Sequence, residues 1–233
     1  MDKLILAAHD LFKNCGFDYC ICGGFALDMF TDKVLRPHGD FDIVVFNENK
    51  QDAIKFLQDN GWPVYGRFMD TNKSVTQYLF HPVTDPFDCK WDDCENMWAV
   101  KPGSFAEMYP IERIEGIYSY KIHEPRLQGF DFIELAFDAR NGDDFVVQEN
   151  PNITLPLDKA ILHKDGIPYL APELVLFYKS DKFSSEHPYI KPKTESDFKT
   201  IMPLLSEESK TWLMNAIDIA YPDGHEWLDD YFS

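Results

Sequence analysis

The stretch that decides the fold runs from Gly23 to Asp42 and reads GGFALDMFTDKVLRPHGDFD. A short apolar segment, Tyr19 to Cys22, precedes the two glycines and is typical of a buried strand, and a helical stretch follows them. Glycine has no Cβ, so backbone amides at a strand–glycine–helix turn can approach an anion closely. The pattern therefore predicts a phosphate-binding turn at Gly23 and Gly24.

Two acidic residues stand at the end of the same stretch. Asp40 and Asp42 are two residues apart at the start of an apolar strand over 41–46, so their carboxylates point to one face. Carboxylates side by side repel each other unless they share a cation, and an unpaired acid in an apolar strand is costly. Magnesium prefers oxygen ligands and bridges carboxylates to phosphate. The acids therefore predict a magnesium site beside the glycine turn.

The rest of the chain predicts an α+β protein. Apolar spacing indicates helices over 2–14 and 49–59, then strands over 75–80, 117–122 and 130–137, then helices opening at Pro172, Thr194 and Ser206. A segment over 85–110, rich in Trp, Asp and Cys, is interpreted as a long insertion or lid. We expect a catalytic domain over 1–155 and a C-terminal helical domain over 156–233.

Composition excludes several classes of protein. The 233 residues carry a formal net charge of −18, which repels a phosphate backbone, so we expect no nucleic-acid partner. No apolar run approaches the roughly 20 residues needed to span a bilayer, and the first residues lack the pattern of a secretion signal. Five cysteines, an odd number, argue against a disulfide framework, and we interpret them as buried thiols. We expect a cytoplasmic protein without a membrane partner.

The motifs together resemble the signature of the polymerase-β-like nucleotidyltransferases, especially the lincosamide and aminoglycoside enzymes and their bacterial relatives. The resemblance rests on the Gly23-Gly24 turn running to Asp28, then Arg36-Pro37-His38, then Asp40-Phe41-Asp42. In the C-terminal half it continues over 169–173, 176–179, 191–193, 197–198 and 224–227, whereas the middle of the chain matches poorly. It implies an N-terminal nucleotidyltransferase fold, a mixed sheet with flanking helices, followed by a helical domain.

The resemblance also implies the parts of a catalytic site. Asp40 and Asp42 would bind Mg²⁺, as two ions, and a third carboxylate would complete the site or take the acceptor proton. Glu134, alone among apolar neighbours in its strand, is the first choice, and Asp88 is the rival. Asp131 ranks lower.

Several groups are candidates for binding the nucleotide. Gly23 and Gly24 would hold the β- and γ-phosphates through their amides. Arg36 and Lys179 would stabilise the leaving pyrophosphate, because phosphoryl transfer depends on charge stabilisation. The alternatives are an ion pair of Arg36 with Asp28 and an ordinary surface position for Lys179. We interpret His38 as structural.

The expected activity is transfer of a nucleoside monophosphate, with AMP as the favoured group, from a nucleoside triphosphate to a hydroxyl of a small acceptor. The acidic surface favours a cationic acceptor, such as an aminoglycoside- or lincosamide-like antibiotic, and hence a role in antibiotic resistance. The alternatives are an antitoxin-like enzyme that modifies a protein and a non-catalytic nucleotide-binding protein. Sequence leaves the acceptor, the nucleotide and the oligomeric state open.

Overall fold

The computed structural model of the chain describes residues 1–70, 77–104, 106–112, 115–123, 126–181 and 190–228. The chain divides into two compact units. Unit 1 comprises Met1–Phe25 and Val34–Asp138, and unit 2 comprises Ala26–Lys33 and Ala139–Ser233. The division into domains over 1–155 and 156–233 stays a prediction.

Unit 1 begins with a helix whose sequence explains both its start and its buried face. The side chain of Asp2 accepts a hydrogen bond from the amide of Leu4 at 2.7 Å, which satisfies one of the free amides of the first turn. Leu4, Ala8 and Phe12 then recur at helical spacing and are buried. The helices of this part of the chain are α1 (Lys3–Phe12), α2 (Gly23–Thr31), whose second half lies in unit 2, and α3 (Lys50–Asp59).

A mixed sheet forms the body of unit 1, and its strand order is β1-β2-β8-β5-β3-β4-β7-β6. The strands β2 and β8 run parallel, whereas the other neighbours in this order are antiparallel. The strands are β1 (Tyr19–Ile21), β2 (Asp42–Phe46), β3 (Val64–Asp70), β4 (Gln77–Pro82), β5 (Asn96–Val100), β6 (Ala106–Pro110), β7 (Tyr118–Ile122) and β8 (Phe132–Asn141). The expected α+β class, with a mixed sheet and C-terminal helices, is confirmed.

The segment over 85–110 differs from the expected insertion. Its residues 96–100 form β5, which lies between β3 and β8 in the middle of the sheet, and residues 106–110 form the edge strand β6. The prediction of an insertion was wrong because it took tryptophan and cysteine as residues of a loop, whereas they belong to the core. Trp91 and Cys94 are both almost completely buried. The strand expected over 75–80 starts among residues outside the described part of the chain, and β4 is described from Gln77.

The cysteines lie in different environments. Cys20 and Cys94 are buried, as expected of small apolar core residues. Cys89 is exposed, and that part of the interpretation is wrong, because Cys89 opens a short surface 3-10 helix over Cys89–Trp91.

Unit 2 combines two small hairpins with helices. Its strands are β9 (Asp144–Val146), which pairs with the end of β8, β10 (Thr154–Pro156), β11 (Ile161–Lys164) and β12 (Ile167–Leu170). Its further helices are α4 (Leu157–Ala160), α5 (Pro172–Lys179), α6 (Lys191–Ile201) and α7 (Glu207–Ala220). No helix in the described ranges is long and apolar enough to cross a membrane.

The expected helix starts in unit 2 are right in two cases and wrong in one. Pro172 occupies the first position of α5, and Ser206 caps α7 by accepting a hydrogen bond from the amide of Ser209. The start expected at Thr194 is wrong, because α6 already begins at Lys191 and Thr194 is buried inside its first turns.

Candidate active site

The parallel pairing of β2 with β8 brings three carboxylates together. Asp42, the first residue of β2, lies directly opposite Glu134, and the amide of Glu134 donates to the carbonyl oxygen of Phe41 at 2.9 Å. Paired residues of neighbouring strands point to the same face. Carboxylate oxygens of Asp40, Asp42 and Glu134 all lie within 4.8 Å of one another. The structure thus assembles an acidic cluster from residues more than 90 positions apart in the chain.

The environment of Glu134 alters the acidity of its carboxyl group. Burial raises the pKa of its carboxyl group, and the nearby Asp40 carboxylate raises it further, whereas Arg67 lowers it. The Nη1 atom of Arg67 lies 2.7 Å from Oε1 of Glu134, and both side chains are about one-fifth exposed. The guanidinium of Arg67 also lies over the ring of Tyr78, 4.9 Å from its centroid. Arg67 therefore holds Glu134 in place and favours its charged form.

The donor atoms of the cluster suit a hard divalent cation. Three carboxylates offer oxygen ligands, which is the ligand type that Mg²⁺ selects. Negatively charged carboxylates this close together repel one another, and a cation bound between them would offset that repulsion. The residues present fit Mg²⁺ on these two grounds.

The two glycines allow the acidic strand to pack closely against the turn. Gly23 has a φ of +60°, a backbone conformation that residues with a Cβ rarely adopt. A Cβ at Gly23 would lie 1.8 Å from Oδ2 of Asp42, and one at Gly24 would lie 2.3 Å from Nδ1 of His38. Any larger residue at either position would therefore displace the acidic strand or the residues that lead into it.

Arg36 and His38 lie beside this turn. Nη1 of Arg36 is 3.4 Å from Nδ1 of His38, a long contact, and His38 is 7% exposed. The imidazole packs on the ring of Phe25 with 4.4 Å between centroids, and the carbonyl oxygen of His38 accepts from the amide of Leu127. These contacts agree with the structural role expected of His38. The nucleotide-binding role of Arg36, and its alternative pairing with Asp28, stay predictions.

Asp88 occupies a different environment from Glu134. Its carboxylate accepts from the amide of Lys90 at 3.1 Å and lies 3.3 Å from the ammonium of the same residue. It caps the short 3-10 helix over Cys89–Trp91, and it is not part of the acidic cluster found among the described residues. The structure brings Glu134, rather than Asp88, to Asp40 and Asp42.

Lys179 lies at the end of α5 in unit 2. Its ammonium is 3.1 Å from Oδ2 of Asp197, whose side chain is buried. Lys179 is therefore neither an isolated cation nor an ordinary surface lysine. Its contact with the nucleotide stays a prediction.

Sequence reasoning missed Arg67. The signal was a single basic residue in the otherwise largely apolar strand sequence VYGRFMD. A charged residue in such a strand is costly unless an opposite charge lies across from it. That signal indicates a partner without identifying it, because the pairing of β3, β5 and β8 is not encoded locally.

The geometry agrees with comparisons to known proteins. Residues 4–107 match the family model described as aminoglycoside-2''-adenylyltransferase. A curated relative, the lincosamide resistance protein of Staphylococcus haemolyticus, is 29% identical over 87 residues. Part of the chain is thus similar to an aminoglycoside adenylyltransferase family and to a lincosamide resistance protein. The aligned part covers 35% of this chain and 54% of that protein, so the chain spans about half the length of the curated relative it matches.

Two solved structures of nucleotidyltransferases are similar to this chain at low sequence identity. The structure of ANT(2'')-Ia in complex with adenylyl-2''-tobramycin is 13% identical, with a TM-score of 0.47 over 93% of this chain and 94% of the other. The structure of lincomycin-bound LnuA, described as a lincosamide antibiotic adenylyltransferase, is 18% identical, with a TM-score of 0.46 over 86% and 98% of the two chains.

Proposed function

We propose that this chain transfers a nucleoside monophosphate, with AMP as the favoured group, from a nucleoside triphosphate to a hydroxyl of a small acceptor. The observation that carries the proposal is the convergence of Asp40, Asp42 and Glu134 to within 4.8 Å beside the Gly23–Gly24 turn. The match of residues 4–107 to an adenylyltransferase family supports the same reaction.

The donor half of the site binds the triphosphate. The amides of Gly23 and Gly24, at the start of α2, can donate to phosphate oxygens, and the partial positive charge of a helix N-terminus favours an anion there. Arg36, and in this proposal Lys179, stabilise the charge that develops on the leaving pyrophosphate. Asp40, Asp42 and Glu134 would hold Mg²⁺, two ions in our proposal, which neutralise the phosphate charge and orient the triphosphate for in-line displacement.

Glu134 acts as the general base in this proposal. The acceptor hydroxyl oxygen bonds to the α-phosphorus, the bond from that phosphorus to the bridging oxygen of pyrophosphate breaks, and the hydroxyl proton passes to the Glu134 carboxylate. Burial raises the pKa of Glu134, which makes the carboxylate a better proton acceptor than an exposed one. Arg67 keeps the carboxylate oriented through its 2.7 Å contact. Asp88, which is only partly buried and contacts the ammonium of Lys90, is the weaker candidate.

The acceptor in this proposal is a cationic small molecule of the aminoglycoside or lincosamide type. The net charge of −18 attracts cations, and the matched family and the curated relative are both named for such antibiotics. Modification of the antibiotic would then contribute to resistance.

The test is an assay with labelled ATP, Mg²⁺ and a panel of aminoglycosides and lincosamides, following pyrophosphate release and a labelled small product. We expect Asp40→Asn, Asp42→Asn and Glu134→Gln each to reduce transfer by more than about a thousandfold, as loss of a central catalytic group does in other enzymes. Asp92→Asn, at an exposed acid outside the cluster, is the matched control and should retain full activity.

The same assay separates the alternatives. Full activity in Asp40→Asn or Asp42→Asn would refute the site, and loss of activity in Asp88→Asn but not in Glu134→Gln would move the base to Asp88. A labelled polypeptide would identify a protein-modifying enzyme. Binding of ATP without pyrophosphate release on any acceptor would identify a nucleotide-binding protein.

A further inference from the structure

The indole of Trp98 is a buried polar group without a partner. Trp98 lies on β5 and is 7% exposed, and its Nε1 atom is shielded from water with no hydrogen-bond partner among the described residues. By contrast, the indole N–H groups of Trp91 and Trp212 donate to the carbonyl oxygens of Asp85 and Thr154 at 2.8 and 2.7 Å. A buried donor that stays unpaired costs free energy, so the acceptor intended for Trp98 has to be sought beside it.

The sheet register places a carboxylate beside this donor. Trp98 is directly opposite Glu134 in the antiparallel pairing of β5 with β8, and Glu134 is in turn opposite Asp42. Residues directly opposite each other on neighbouring strands point to the same face of the sheet, with Cβ atoms about 5 Å apart. The indole therefore lies on the face that carries the acidic cluster, next to Glu134.

The Glu134 carboxylate has room for a second donor. Oε1 of Glu134 lies 2.7 Å from Nη1 of Arg67, and a carboxylate offers two oxygens with about four acceptor positions. Burial raises the pKa of Glu134 and Asp40 raises it further, whereas Arg67 and, more weakly, the indole N–H of Trp98 lower it. The N–H is thus close enough to favour the charged carboxylate, although it does not yet form a hydrogen bond of good geometry.

Aromatic neighbours fix the indole ring. Its centroid lies 4.3 Å from that of Phe80, 4.8 Å from that of Tyr120 and 5.0 Å from that of Phe132, and the last two contacts are edge to face. A ring enclosed by packed rings has little freedom to turn. Glu134, whose side chain is about one-fifth exposed, is therefore the group that moves to complete the contact.

We propose that Trp98 is a positioning residue of the active site, whose indole N–H donates to the Glu134 carboxylate and, together with Arg67, fixes the direction in which that carboxylate faces the metal and the acceptor hydroxyl. The inference rests on the proposed function, because the roles of Glu134 as ligand and base belong to that proposal. A carboxylate held by two donors keeps one orientation, whereas one held by a single donor can turn about that contact. Partners of metal ligands typically contribute about tenfold to a hundredfold in metal affinity or activity.

The first measurement is calorimetric binding of Mg²⁺ alone to the full chain, without nucleotide. Trp98→Phe keeps an aromatic ring and removes the indole N–H, and we expect it to weaken Mg²⁺ binding by about tenfold. Trp91→Phe is the matched control, because it also removes a buried indole N–H, but one that donates to the carbonyl oxygen of Asp85. This control should bind Mg²⁺ as the wild type does.

The kinetic constants separate positioning from folding. At saturating Mg²⁺, Trp98→Phe should lower kcat by about tenfold and leave KM for ATP within about twofold, because the carboxylate is misoriented while the nucleotide still binds. Trp91→Phe should retain the wild-type kcat. A merely structural role of Trp98 would lower the melting temperature of both variants and leave kcat of the folded protein unchanged.

A spectroscopic measurement depends neither on activity nor on metal. In isotope-labelled protein, the proton–nitrogen magnetic resonance spectrum gives each of the five tryptophans one indole signal. Trp98→Phe assigns the signal of Trp98, and if that variant does not fold, single Phe variants of the other tryptophans assign it by elimination. Glu134→Ala removes the acceptor and should shift this signal more than Asp42→Ala does, because Asp42→Ala takes a charge from the cluster and leaves the acceptor in place.

Two results would overturn the role of Trp98. They are equal Mg²⁺ binding and kcat in wild type, Trp98→Phe and Trp91→Phe, and an indole signal that shifts equally in Glu134→Ala and Asp42→Ala. Transfer by the wild type together with either result would keep the proposed function and remove only this inference. Mg²⁺ binding and an indole signal that depend on Trp98 and Glu134 as expected, without pyrophosphate release on any acceptor, would uphold the inference and refute the proposed transfer.

Discussion

Three acids of unit 1 converge on one another, whereas two buried acids of unit 2 each contact a hydroxyl or an ammonium group. Asp40, Asp42 and Glu134 lie within 4.8 Å of one another in unit 1. In unit 2, Glu173 accepts from the hydroxyl of Ser209 at 2.8 Å, and Asp197 lies 3.1 Å from the ammonium of Lys179. An acid with a polar partner inside the chain contributes to the fold according to that partner and its burial, whereas acids that converge are suited to a ligand cation.

The largest expected effect comes from the divalent metal. Removal of metal by a chelator should abolish transfer. Addition of Mg²⁺ should raise the melting temperature, because a ligand at 100 times its Kd stabilises by about 2.7 kcal/mol. Calorimetric melting should show this gain in the wild type and in Asp197→Asn, but not in Asp42→Asn. An equal gain in all three would place the metal outside the acidic cluster.

Loss of an internal partner in unit 2 should have the next largest effect. Asp197→Asn should lower the free energy of unfolding by about 2 kcal/mol, because it leaves the ammonium of Lys179 without its charged partner in a largely buried place. Denaturant unfolding measures the loss. Asp218→Asn, at an exposed acid of α7, is the matched control and should change stability by less than about 0.5 kcal/mol. Equal stability of the two variants would contradict the assigned role of Asp197.

Arg67→Met should change activity more than stability. Arg67 lowers the pKa of Glu134, so its removal should raise that pKa and shift the rising limb of the pH–rate profile to higher pH. We expect transfer at pH 7 to fall by about tenfold, the effect of one oriented charge on a proton transfer. Arg67→Lys should restore part of the loss, because it keeps the charge. A uniform loss of rate without a shift of the profile would indicate a structural role only.

The smallest effect concerns Glu173. Burial raises the pKa of its carboxyl group above the usual value of about 4.5, although Ser209 partly offsets this. The unfolded chain loses this proton first as the pH rises, so the group reduces stability above about pH 4.5 and has no such effect well below it. Glu173→Gln should therefore be slightly more stable than the wild type at pH 7, by less than about 1 kcal/mol, with the gain fading on acidification. Melting temperatures from pH 4 to pH 8 measure it, and a gain that does not depend on pH would contradict the assignment.

Some residues of the acidic cluster in unit 1 could be predicted from the sequence, and one could not. Asp40 and Asp42 are two residues apart on a strand whose apolar pattern is local, so their shared face follows from strand geometry alone. The third acid could not be chosen in this way. Glu134 and Asp88 both lie in apolar surroundings in the sequence, and only the parallel register of β2 with β8 brings Glu134 opposite Asp42.

The segment over 85–110 illustrates the same limit for the fold. Lys50, on α3, is 6% exposed and donates to the carbonyl oxygens of Trp91, Asp92 and Cys94 at 2.9 to 3.3 Å. A buried lysine that binds three carbonyls attaches this segment to the body of unit 1. No local pattern around Lys50 indicates a contact with residues more than 40 positions away, so composition alone favoured a loop.

The sequence by itself determined the class of the fold, the positions of most helices and of five of the twelve described strands, the glycine turn and the first two acids. These features depend on periodicity, capping and backbone freedom, which act over a few residues. The tertiary structure decided that Glu134 completes the acidic cluster, that Arg67 pairs with it, and that residues 96–100 form a central strand. Each of these depends on which strands become neighbours and in what register, and that is set by packing between distant parts of the chain.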